Sequence, residues 1–282
     1  MLLIHVLNAL FYSLLLFLVS VGLSLILGLM GVLNLTHGAF YLLGAYVGFT
    51  VGLVTGNFIL ALMAGAASAA LAGMIIERAV IRHLHGEYLE QVLVTFGFVY
   101  IFMAINKFFW GGFPKILEKP VLLAGSVNLG VSYFPAYRLA MIVIGLIIAF
   151  ALWLLMERTT FGIKLRAGVE DRQMACALGI NINAIFIKVF ALGSFLAGLA
   201  GVLGGPVIGA YPGLDNQMLM MALVIVIVGG FGTLQGAFFG SLFFGFIEVF
   251  TKVWFPEISM FIVFITMAVV LILKPKGILG KY

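Results

Sequence analysis

Long apolar runs, broken by short stretches of glycine, asparagine and charge, organise the chain. Apolar character at residues 6–27, 39–55, 57–76, 91–109, 138–156, 184–204, 217–229, 237–253 and 259–273 predicts nine helical passes through lipid. The runs at 39–55 and 217–229 are short for a full crossing, which makes either a candidate broken or re-entrant segment. The expected fold is therefore all-α: a polytopic transmembrane bundle of about eight to ten helices with broken or re-entrant segments, read as one domain over residues 1–282.

Composition strengthens this picture. The chain is 64% hydrophobic and 9% charged, its mean hydropathy is +1.27, and no Asp, Glu, Lys or Arg precedes Glu77. A water-soluble fold cannot solvate such a segment. The first apolar run has no Lys or Arg in front of it and continues into glycine-rich apolar sequence, so it is expected to be a retained helix and not a cleaved leader. The single cysteine, Cys176, sits among polar and charged neighbours, excludes an internal disulfide, and suggests a reducing, cytoplasmic loop.

Charge sets the expected orientation. Placing 77–90, 157–188 and the tail inside collects ten basic residues: Arg78, Arg82, Arg158, Lys164, Arg166, Arg172, Lys188, Lys274, Lys276 and Lys281. Five remain outside: Lys107, Lys115, Lys119, Arg138 and Lys252. The N-terminus then lies outside and the C-terminus in the cytoplasm, and the net charge of +5 reads as topology and not as affinity for nucleic acid. Trp110, Tyr133, Tyr137 and Trp254 fall at outer helix ends and Trp153 at an inner end, where amphipathic rings favour the headgroup layer. The proline- and glycine-rich connection 110–137 is a candidate cap or a plain surface loop.

Polar residues inside the apolar stretches mark the candidate site. Gly22, Gly28, Gly31 and Gly38 weaken helix continuity around Asn34, Thr36 and His37. Non-helical backbone at membrane depth survives only where protein or water satisfies it. Asn34 and His37 therefore either cap helix ends and hold neighbouring helices, or line a solute pathway near the midplane. HGAFYLLG (37–44) is echoed by QGAFFGSL (235–242), each after a glycine-containing turn; if this is a duplicated half, the two breaks should be structurally equivalent. Past a second break, Asp215, Asn216 and Gln217 either cap the next helix or line the outer mouth. The expected pathway residues are Gly31, Asn34, His37, Gly38, Asn216, Gln217, Gly232 and Gln235. Glu248 and Lys252 share one helix face at i,i+4 spacing, an ion pair near the outer interface that requires no ion coupling. Two small-residue stripes, Ala61–Gly65–Ala69–Gly73 and Ala197–Gly201–Gly205, allow close helix packing, within the chain by default.

The longest charged segment is ERTTFGIKLRAGVEDRQMACALGININAIFIK, 157–188. Glu170 and Asp171 suit the first turn of a short helix and Gly179 its end, with Met174, Ala175 and Leu178 forming an apolar patch between them. Such a helix is either a docking knob or a membrane-surface helix without a partner.

Five segments occur in order over nearly the whole chain: GLMGVLNLTHGAFYLLGAY, the 157–183 stretch of that loop, FALGSFLAGLAGVLGGP, IVGGFGTLQGAFFG and KPKGILG. Together they resemble the permease subunit of an ABC importer of the high-affinity branched-chain amino acid (Liv-type) family. The resemblance implies a multi-pass subunit of a prokaryotic inner membrane. It also implies a second similar permease, two cytoplasmic ATPase subunits and an extracytoplasmic solute-binding protein. The coupling-helix role carries over to Glu170, Asp171, Arg172, Ala175, Leu178, Gly179 and Ile180. Related permeases for urea or short amides share the first motif, often with an acid after His-Gly, where this chain has Ala39. The chain has no GxxxxGK[ST] phosphate loop, so no cofactor is expected on it and Mg-ATP is expected on the partner subunits. An ion-coupled secondary transporter is the next reading, disfavoured by the lack of well-placed intramembrane carboxylates; a non-transporting scaffold is the third.

Overall fold

The computed structural model describes residues 2–84, 86–128, 130, 133–275 and 277–279, without the side chains of Arg172 and Met260. Eleven α-helices form in chain order among them: α1 (Leu2–Met30), α2 (His37–Thr55), α3 (Phe58–Ala79), α4 (Tyr88–Trp110), α5 (Ala136–Arg158), α6 (Thr160–Glu170), α7 (Arg172–Ala177), α8 (Ile182–Ile208), α9 (Leu214–Gly229), α10 (Leu234–Trp254) and α11 (Ser259–Leu273). A small antiparallel hairpin, β1 (Ser126–Asn128) and β2 (Tyr133–Pro135), precedes α5 and pairs Val127 with Phe134.

Seven of these helices, α1 to α5, α8 and α10, are long and apolar enough to cross a membrane. The run at 39–55 is extended to the 19 residues of α2, which begins at His37 directly after the break and is long enough to cross by length and composition. The run at 217–229 stays short as α9, with 16 residues. The 259–273 run, read as a full pass, forms a 15-residue helix of about 22 Å against a core about 30 Å thick.

In lipid there is little hydrophobic force between helices, so association rests on close packing and buried hydrogen bonds. α1 and α8 form the centre, and small residues bring the others onto them. Gly22 of α1 faces Gly193 of α8; Gly44 of α2 lies against Gly198, and Gly73 of α3 against Ser194. Both small-residue stripes pack within the chain, as the default reading held: Gly65 and Ala69 lie against Gly198, Gly201 against the Tyr41 carbonyl of α2, and Gly205 against Leu117. Ser13 of α1 donates to Leu242 O of α10 at 3.4 Å, and Ser24 to Thr233 O at 3.5 Å, which sets α10 antiparallel to α1.

Local sequence explains several boundaries. Asn57 caps α3 by accepting from the amides of Ile59 and Leu60 at 2.9 and 3.2 Å. Thr233 caps α10 through Gly236 N at 3.1 Å, and Asn181 caps α8 through Ala184 N at 3.0 Å. The connection 110–137 is tied down: Lys115 and Ala210 exchange backbone bonds of 2.8 and 2.7 Å, and Leu117 is buried against Gly52 and Gly205. Trp254 is exposed at the end of α10 as the belt reading expects, and Tyr133 is exposed too but lies on β2, three residues before α5. Tyr137 is not: it is buried, donates to Leu203 O of α8 at 2.7 Å, and meets the Phe58 ring edge-on.

Candidate functional site

The first polar break lies between α1 and α2. Gly31 closes α1 with φ +66, its amide bonded to Leu27 O at 3.0 Å. Residues 31–36 then fold back, and His37 Nε2 donates to Val19 O at 2.9 Å. The His37 side chain thus reaches α1 eleven residues, about 16 Å, back from its last residue, Met30. The break is satisfied by protein. Asn34 Oδ1 accepts from Thr36 N at 3.1 Å, Thr36 Oγ1 donates to Thr95 O at 2.9 Å, and Thr95 Oγ1 donates to Leu33 O at 3.3 Å. Asn34, Thr36 and His37 have no exposed surface, while Asn34 Nδ2 and His37 Nδ1 have no hydrogen-bond partner among the described residues.

Short α9 sits against this break at one end and against the second break at the other. A Cβ on Gly38 would strike the carbonyl of Asp215 in the first turn of α9; one on Gly229, at its last turn, would strike Gly236 of α10. Beyond that turn Gly232 meets Gly28 of α1 backbone to backbone. The two breaks are alike in that each follows a positive-φ glycine, opens a helix and lays a glycine on α9. They differ in capping: Thr233 caps with its side chain and Thr36 does not.

Two cavities are walled by α9. One, of about 530 Å³, is lined by Tyr12, Tyr211, Asn216, Gln217, Met221 and Glu248 among others, on the side of the layer where Lys252 and the first turn of α9 lie. The other, of about 550 Å³, is lined by Gly31, Tyr88, Val92, Leu223, Ile227 and Phe231, at the opposite end of the same helix. Met221 and Leu223, two residues apart on α9, lie on nearly opposite faces of the helix, one towards each cavity, so this helix separates them. Of the expected pathway residues, Gly31, Asn216 and Gln217 border these cavities. Gln235 borders a smaller apolar one of about 170 Å³ with Phe17 and Phe238. Asn34, His37 and Gly38 form packed wall, and Gly232 the contact with Gly28. Glu248 and Lys252 do form an ion pair, at 2.5 Å, but on the rim of the cavity that Asn216 and Gln217 line. The sequence reading missed that setting because Tyr12, Tyr211 and Glu248 are remote along the chain.

Since His37 is buried and bonded across α1 and α2, His37→Ala is expected to lower the melting temperature of the purified permease while leaving uptake per folded molecule near wild type. Uptake that fell with the melting temperature unchanged would instead place His37 on the pathway.

The 157–188 segment forms two helices where one was expected. Thr159 caps α6, Glu170 ends it instead of opening the next helix, and Asp171 caps α7 by accepting from Met174 N at 2.9 Å. α6 is docked: Gly162 lies under the Met156 carbonyl, and Arg166 donates to Met156 O at 2.6 Å. α7 ends in a Schellman turn, with Gly179 N bonded to Cys176 O at 2.9 Å and Ile180 N to Ala175 O at 3.0 Å, and Gly179 at φ +79. The apolar patch is corrected: Ala175 is 2% exposed and faces inward, while Met174 (58%) and Leu178 (73%) project outward. Arg172's side chain lies outside the described residues, as do Lys276 and Lys281 of the tail.

Comparison with known proteins adds the following. Residues 5–271 match the family model described as branched-chain amino acid transport system / permease component. The chain is 30% identical, over 94% of its length and 91% of the relative's, to the high-affinity branched-chain amino acid transport system permease protein BraD of Pseudomonas aeruginosa. It is 28% identical, with the same two coverages, to LivH of Escherichia coli K12, a permease protein of the same description. LivM of Salmonella typhimurium is 27% identical over 92% of this chain and 66% of its own. Among solved structures, PsaBC from Streptococcus pneumoniae in complex with Fab aligns with a TM-score of 0.53 at 15% identity, over 94% of this chain and 89% of that one, a likeness of fold.

Proposed function

The chain belongs to the permease-component family of branched-chain amino acid transport systems, and on that premise we propose how its geometry works as a gate. It is a membrane-spanning permease subunit of an ATP-driven importer for branched-chain or other hydrophobic amino acids, not itself an enzyme. The observation that carries the mechanism is α9, which walls one cavity on each side of the layer. The hairpin and Lys252 face outside and α6–α7 face the cytoplasm, in the sense favoured by the basic residues. All of residues 1–282 act as one permease domain.

A second, similar permease completes the passage; the likeness of this chain to both LivH and LivM proteins supports such a pair. Two cytoplasmic ATPase subunits hold Mg-ATP, and an extracytoplasmic binding protein delivers solute at the hairpin side. Met174 and Leu178 insert into the ATPase; Asp171, Gly179 and Ile180 hold α7 in shape, Ala175 anchors it from beneath, Arg172 opens it and Glu170 precedes it. Closure of the ATPases displaces α6 and α7, which α6 passes to α5 and α8. The glycine contacts at 28–232 and 229–236 are the pivots on which α9 tilts to exchange one open cavity for the other.

Reconstitution decides the class. In vesicles holding the permease pair, ATPases and binding protein, leucine uptake is expected to need ATP inside and to persist with an ionophore present. Uptake that is abolished by the ionophore at constant ATP would make the chain an ion-coupled transporter. Uptake of urea or a short amide in place of leucine would move it to the neighbouring permease class.

A further inference from the structure

The polar cavity above α9 contains groups of opposite charge at its rim. Glu248 is buried, 4% exposed; its Oε1 is engaged by the Lys252 ammonium at 2.5 Å, the Tyr12 hydroxyl interacts with the same carboxylate, and Oε2 is buried with no hydrogen-bond partner among the described residues. Lys252 keeps N–H donors beyond that bond, and its Nζ lies 5.6 Å from the centre of the Tyr12 ring. Gln217 has its carbonyl oxygen held by the Tyr211 hydroxyl at 3.1 Å, which leaves its amide N–H groups to donate elsewhere. The rest of the lining is apolar and deformable: Ile208, Leu214, Met218, Met221 and Phe264. A buried carboxylate oxygen without a donor is costly, so it marks a place where a donor belongs.

Resting on the importer reading, we infer that this cavity is a transit site for a zwitterionic amino acid. Its α-ammonium bonds Glu248 Oε2, its α-carboxylate takes Lys252 and Gln217, and its aliphatic side chain lies on Met218, Met221 and Phe264. The volume of about 530 Å³ lies within the range of small-molecule sites and leaves room for a branched side chain. The pair is complementary to two opposite charges on one small molecule. An uncharged amide offers Lys252 a carbonyl acceptor but no charge, and a monocarboxylate or monoamine leaves one of the two groups unmatched. Adjacent to the outer end of α9, a bound zwitterion bridges α10 and α9 and favours one tilt of the gate.

The test uses the assembled importer without its binding protein, so that the permease's own site is read. A diazirine analogue of leucine is photolysed on the complex and the label located by mass spectrometry. Label is expected on residues 208–221 or Tyr12, competed by leucine but not by 4-methylpentanoate, 3-methylbutylamine or urea. Glu248→Gln and, at the half-exposed rim, Lys252→Met should each raise the half-competing leucine concentration about tenfold or more, with the complex still assembled by size exclusion. Label elsewhere, or label unchanged in Lys252→Met, in a wild-type complex that imports leucine overturns the site and leaves the importer reading standing. A wild-type complex that imports no amino acid overturns both.

Discussion

Gly28→Val is expected to remove nearly all folded permease from the membrane. The Cβ of any side chain at 28 would fall on the Cα of Gly232, and a Cβ at 232 would meet the Gly28 backbone in return. Overpacking usually costs about 1–3 kcal/mol where side chains can give way. Here both partners are backbone, one of them held at φ +73 in the turn that opens α10, so the cost exceeds that range. Against a total stability of about 5–15 kcal/mol, such a loss lowers the folded fraction by well over tenfold. Size-exclusion profiles of detergent-solubilised membranes read it directly. Gly97→Ala is the control: Gly97 sits mid-helix in α4 with nothing within 4 Å of an added Cβ, so that variant should be at wild-type level or slightly above. A Gly28→Val permease that folds as well as Gly97→Ala would remove the proposed pivot.

Met174→Asp combined with Leu178→Asp is expected to leave the permease folded and inserted while uptake falls by about a hundredfold, the two apolar contacts contributing roughly tenfold each. Both side chains are outside the packed body, so charges there cost the permease itself little. The ATPases should no longer co-purify. Ala175→Asp is a different experiment, because it buries a carboxylate beneath α7 and should lose the permease with the transport. Gly179→Val acts between these extremes: a β-branched residue at φ +79 costs about 1–2 kcal/mol and opens the Schellman turn, weakening coupling about tenfold without removing insertion. Full coupled uptake by the double aspartate variant would take the docking role away from α7.

What could be read from the sequence follows from how local each signal is. Nine apolar runs appear as helices because each is long and continuous enough to be recognised alone. Gly31, Asn34 and His37 mark a break because polar and glycine residues in lipid require a reason nearby. The Gly179 stop was legible for the same cause. α6 was not: its hold on the body comes from Gly162 under Met156 O and Arg166 on the same carbonyl, contacts whose partners belong to α5. The inward face of Ala175 was set by the Asp171 cap and the Schellman turn, which orient a six-residue helix more strongly than periodicity does. The cavities lay furthest from view, since Tyr12, Tyr211 and Glu248 meet only after α1, α10 and the turn leading into α9 have packed. An i,i+4 ion pair looks the same on paper whether it faces a headgroup or a binding site.

The central claim is that a motorless gate is worked from the cytosol through α7. Cys176 is the chain's single cysteine, and it is exposed on that helix. A membrane-impermeant maleimide is expected to label it in inside-out vesicles stripped of ATPase, to spare it in intact spheroplasts, and to be blocked when purified ATPase subunits are added back. Labelling of Cys176 from the outer side of intact cells, or labelling from the cytosolic side that the ATPases do not protect, would contradict it.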